Sequence, residues 1–107
     1  MPTFVLRLVH TSDQCPTANS KVRERVVVGA ADIPALADKL GVTIVAGPLI
    51  LASEHESVAV VEATGADVVN DFVQQSGLIQ WNSVRVSLAE TMQESLGRLE
   101  SLPPAIY

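Results

Sequence analysis

The stretch Phe4-Val5-Leu6-Arg7-Leu8-Val9-His10 decides the fold. Its residues alternate between two faces, as a strand requires. Val5, Arg7 and Val9 share one face, and Phe4, Leu6, Leu8 and His10 the other. Both faces are largely apolar, which predicts a central strand covered on both sides. A second segment of this kind runs from Ser57 to Ala63, apolar on both faces apart from Glu62.

Working outward, Thr11 to Thr17 is polar and holds Pro16, so it reads as a loop. A helix is expected to start near Thr17 or Asn19, with Val22 and Val26 on its inner side. The run Val26-Val27-Val28 is equally good strand material and leaves that element open. A further helix follows, with Asp32 as N-cap, Pro34 in its first turn, and Ile33, Leu36, Ala37 and Leu40 as its buried stripe. Gly41 ends it. Val42 to Leu51 reads as a strand in which Gly47-Pro48 predicts a bulge or an edge position. Thr64-Gly65-Ala66-Asp67 fits a capping box before the stripe Val68, Val69, Phe72 and Val73, closed by Gly77. Leu78 to Val86 reads as the last strand, with Trp81 and Arg85 on one face. Ser87-Leu88-Ala89-Glu90 reads as a second capping box before a helix striped by Leu88, Met92, Leu96 and Leu99. Pro103-Pro104 ends that helix.

The expected order is β-α-β-β-α-β-α in one domain over residues 1–107, with a core of about 3–100 and a tail over 101–107. Its first four strands and two helices fit the ferredoxin-like split βαβ plan, an α/β (α+β) sandwich with an added C-terminal helix. Helices on one side leave the other sheet face bare. Apolar strands then predict face-to-face pairing of two sheets in a homodimer or higher homo-oligomer.

Composition narrows the partners. Seven basic residues against twelve acidic ones give a net charge of −5. Neither nucleic acid nor an anionic membrane is an expected partner of such a chain. The longest uncharged apolar run, residues 40–53, is too short and too glycine-broken to span a bilayer. One cysteine makes no internal disulfide and fits a reducing compartment. The opening residues show no basic region followed by an apolar helix, so a cytoplasmic location is expected.

The layout resembles the dimeric α/β-barrel superfamily, and in particular its small stand-alone uncharacterised members. The residues that carry the resemblance are Phe4 to His10, the helix before Gly41-Val42-Thr43, and Trp81-Asn82-Ser83-Val84-Arg85-Val86-Ser87 before a terminal helix. The superfamily includes small monooxygenases, isomerase-like enzymes and stress-responsive proteins. The resemblance therefore implies a small-molecule-binding dimeric barrel, with cofactor-independent monooxygenase or isomerase chemistry as one form and a non-enzymatic oligomerisation module as the other. None of that superfamily's functional residues is carried onto this chain, and no cofactor is implied.

Three residues near the end of the first strand have reactive side chains: His10, Asp13 and Cys15. A thiol ahead of a helix N-terminus is favoured as thiolate, and His10 would serve as its base. These are the candidate catalytic residues; capping by Asp13 and simple packing of Cys15 is the structural alternative. Arg7, Trp81 and Arg85 are candidate ligand-binding residues, two cations and an aromatic wall for an anionic ligand. Arg7 is alternatively a structural partner of Glu62. No metal site is expected. His10 and His55 are read as the ends of parallel strands, far apart, and His10-x-x-Asp13-x-Cys15 is not a ligand spacing. His55 reads as an exposed turn residue. The glycines form no phosphate-binding loop.

Overall fold

A computed structural model of the chain describes residues 1–51 and 54–105. The strands are β1 (Thr3–Val9), β2 (Thr43–Leu51), β3 (Glu56–Glu62) and β4 (Ser83–Ala89). The helices are α1 (Ser20–Ala30), α2 (Ile33–Leu40), α3 (Ala66–Gln75) and α4 (Met92–Glu100), and short 3-10 turns occupy Ser12–Gln14 and Leu78–Gln80.

The strands form one sheet in the order β2-β3-β1-β4, the ferredoxin-like order, with an added C-terminal helix. All three pairings are antiparallel. This corrects the expected parallel relation of the first and third strands. The β2–β3 connection is a hairpin, so β3 runs back between β1 and β2 and must oppose both.

The alternation read from β1 holds on one side. Phe4, Leu6 and Leu8 are buried and pack with Ala59 and Val61 of β3 against Ala37 of α2 and Val69, Phe72 and Val73 of α3. Burying a leucine of this kind contributes roughly 1.5–3 kcal/mol. The opposite face is mixed: Val5, Val9, Val58 and Val60 share it with charged residues. Arg7 pairs across the sheet with Val58 and Arg85, and its guanidinium donates to both carboxylate oxygens of Glu56 at 3.2 and 3.3 Å. Glu62 lies opposite Thr3 instead, so the expected Arg7–Glu62 pair is replaced by Arg7–Glu56.

The helices largely follow the sequence signals. Val26 to Val28 are helical, and α1 is capped by Asn19, whose side chain accepts from the N–H groups of Lys21 and Val22. Gly41 ends α2 in the left-handed region, at φ 76°. Neither Asp32 nor the Thr64–Asp67 segment provides a side-chain cap. The last strand starts at Ser83 and not at Leu78, and Leu88 remains within it. The cap of α4 is therefore Thr91, whose hydroxyl oxygen accepts from the Glu94 N–H. Gly47-Pro48 lies in the edge strand β2, at the second of two register shifts, between Ala46 and Leu49.

The barrel expectation is corrected by this topology. The sheet is open, with β2 and β4 as free edges. Its uncovered face is mixed, with Arg7, Glu56, Arg85 and Glu62 set among Val5, Val9, Val58 and Val60. On that face a depression of about 320 Å³ lies beside Arg7, Val9, Ser83 and Arg85. The larger cleft, about 1190 Å³, lies on the helix side between α1 and the sheet, against Leu8, Val28, Ile44, Ile50 and Trp81. Among the described residues, no helix is long and apolar enough to cross a membrane.

Candidate metal centre

The antiparallel pairing of β1 with β3 builds the site. The register runs to Val9 opposite Glu56. One residue further, the His10 N–H donates to the His55 carbonyl at 3.0 Å. The end of the first strand and the start of the third therefore meet, and their imidazole centroids stand 5.4 Å apart, edge to face. His55 has a φ of 54°, the left-handed region in which non-glycine residues are uncommon and histidine is among the better tolerated.

The loop after β1 brings the third group. The 3-10 turn Ser12–Gln14 lifts the chain over the strand ends, and Cys15 follows it. That loop is braced by its own sequence. The Asn19 amide donates to the Asp13 carbonyl at 3.0 Å. Arg23 donates to the carbonyls of Pro16 and Thr17 at 2.9 and 3.1 Å. The Cys15 carbonyl accepts from the N–H groups of Ala18 and Asn19. With its backbone held, Cys15 points inward and is 8% exposed.

The Nδ1 or Nε2 of each histidine and the Cys15 Sγ offer one donor atom apiece, and the three atoms all lie within 4.8 Å of one another. A metal at about 2.0 Å from each imidazole nitrogen and about 2.3 Å from sulfur needs donors about 3.3–3.8 Å apart. Side-chain torsions can supply that contraction of about 1 Å. Nε2 of His10 is buried and has no hydrogen-bond partner. A buried imidazole nitrogen without a partner costs free energy.

Cys15 is prepared as a thiolate. Its pKa falls from 9.0 to about 6, chiefly through the Thr17 hydroxyl, then the Thr17 backbone N–H and the His10 imidazole. The Thr17 oxygen lies 2.9 Å from the sulfur. Burial acts the other way, and His55 adds a smaller lowering. The causes are hydrogen bonds to the sulfur, where the sequence pointed to a helix terminus. Trp81 closes one side, its ring 5.3 Å from that of His10.

Of the residues singled out from sequence, the structure brings His10, Cys15 and Trp81 together. Asp13 stays exposed in the loop, outside the cluster. Its carboxyl is held below the usual range, first by the Thr11 hydroxyl. Arg7 and Arg85 lie opposite each other on the uncovered sheet face; both are exposed. His55 lies in an exposed turn, as the sequence reading had it; its closeness to His10 and Cys15 is what that reading missed. The signal for it was the split βαβ order itself, which makes β1 and β3 antiparallel and sets the residue after one beside the residue before the other.

No protein-family model matches the chain, and no curated protein matches it. The resemblance to the dimeric barrel superfamily thus finds no family match, and only the ferredoxin-like strand order stands.

Proposed function

We propose that this protein binds a transition-metal ion through His10, Cys15 and His55. The observation that carries this reading is the convergence of two imidazoles and one thiol from three chain segments to within 4.8 Å. Imidazole with thiolate is a ligand chemistry suited to transition metals, not to magnesium or calcium. Three protein ligands leave a position open on the exposed His55 side, where a small exogenous ligand can bind. The reading requires a reduced Cys15, and so a reducing compartment such as the cytoplasm.

The test is cobalt(II) substitution of the purified, reduced protein. A thiolate-to-cobalt charge-transfer band that saturates at one equivalent is expected, and Cys15→Ser removes it. The absence of any saturable band, or a band unchanged in Cys15→Ser, overturns the proposal.

A second reading rests on the 2.9 Å contact between the Cys15 sulfur and the Thr17 oxygen. In it the metal-free thiolate is a nucleophile, and His10 serves as proton donor and acceptor. Rapid one-site alkylation of metal-free protein, slowed in Thr17→Val, supports that reading. Reactivity no greater than that of a free thiol counts against it.

A further inference from the structure

The charge and number of the donors narrow the metal, on the premise that His10, Cys15 and His55 bind one. We infer that the site is built for a monovalent soft cation, copper(I).

Coordination number is the first argument. Among the described residues, only these three His, Cys, Asp or Glu side chains converge on the site. Zinc is almost always tetrahedral, so with three protein ligands it must take its fourth from solvent. Copper(I) has a filled d shell, accepts trigonal coordination, and is selected by thiolate. Two imidazoles and one thiolate meet that requirement without a fourth protein donor.

Charge is the second argument. The donor set carries one negative charge, on the Cys15 sulfur, and both imidazoles bind as neutral ligands. A monovalent cation makes the complex neutral with the protein donors alone, whereas a divalent one leaves it at +1 until it takes up hydroxide from solvent. The neighbouring acids do not offset that excess. Asp13 is exposed and outside the cluster. The Glu56 carboxylate is engaged by Arg7, and Glu54 is exposed. Cys15 is buried, His10 is half-buried beside the Trp81 ring, and His55 forms the exposed side. An uncompensated charge in such surroundings is costly, and a neutral complex avoids the cost.

The chain's only tryptophan provides the readout. Trp81 stands beside His10, so a soft, heavy cation bound there quenches its fluorescence. Reduced protein is titrated anaerobically with copper(I), with silver(I) as a redox-inert probe of the same charge, and with zinc(II), each against a chromophoric competitor. Quenching that saturates at one equivalent of copper(I) and of silver(I) is expected, with zinc(II) weaker by about 100-fold or more. Cys15→Ser should abolish the one-equivalent quenching. Circular dichroism checks that this variant folds, and the exposed His55→Ala serves as a second variant, expected to weaken copper(I) at least about tenfold. Zinc(II) binding as tight as copper(I), lost in both variants, overturns the copper(I) inference and leaves a metal site standing. No one-equivalent binding of any of the three ions, or binding unchanged in both variants, overturns both.

Discussion

The backbone N–H of His10 donates to the carbonyl of His55 at 3.0 Å, across 45 positions of sequence. This bond continues the β1–β3 ladder one step past the Val9–Glu56 pair. It sets the two imidazoles edge to face and places both beside Cys15.

His55 keeps a left-handed backbone at φ 54°, which costs about 1–2 kcal/mol for most L residues. Replacing it with glycine removes that cost and also removes a metal donor. The metal-free His55→Gly variant should melt within a few degrees of wild type, or higher. Silver(I) should raise the melting temperature of wild type by much more than that of the variant. A large loss of metal-free stability would show that the His55 ring serves mainly packing.

The Cys15 thiol should ionise near pH 6 in the metal-free fold. The rate of iodoacetamide alkylation against pH measures this directly. In Thr17→Val the inflection should move up toward the ordinary value, because the largest of the lowering hydrogen bonds is lost. Stability carries the same signature. The folded pKa lies below the unfolded one, so the thiolate's contribution is complete above about pH 9. It shrinks as the pH falls and is gone below about pH 6. Chemical denaturation of wild type and Cys15→Ser across that range should diverge as the pH rises. An alkylation inflection at 8.5 or above would contradict the arrangement.

Gly47 is held at φ 87°, and a Cβ there would stand 2.6 Å from the Val58 carbonyl oxygen on the paired strand. Both the backbone conformation and the contact with rigid backbone penalise a side chain. Gly47→Ala should destabilise the protein by roughly 2 kcal/mol or more in urea unfolding. A change below about 0.5 kcal/mol would mean that β2 shifts its pairing at no cost.

Arg7 and Arg85 are direct cross-strand partners, and like charges in that position repel. Glu56 offsets this by pairing with Arg7, although the Arg7 side chain is exposed. Glu56→Gln should therefore cost no more than about 1 kcal/mol at low salt. Raising the ionic strength should shrink that cost, since screening weakens both the lost attraction and the exposed repulsion. A cost that grows with salt would rule out this electrostatic account.

Local rules settled much of the secondary structure from the sequence. Alternation in Phe4 to Leu8 identified a strand, while the structure decided that only one of its two faces is buried. The stripe Val69, Phe72 and Val73 identified α3 and what it buries. Gly41 ended α2 because glycine takes the left-handed backbone without a Cβ clash. A pattern of neighbouring residues suffices for these features, since the competing conformations differ within a few residues. The direction of strand pairing is not local. Whether β1 and β3 run parallel or antiparallel follows from the order of the elements between them, and no periodicity within either strand encodes it. That single topological fact brings His55 to His10, and the braced loop from Thr11 to Asn19 brings Cys15 to both. The sequence held the three donor types, and the tertiary structure alone decided that they meet.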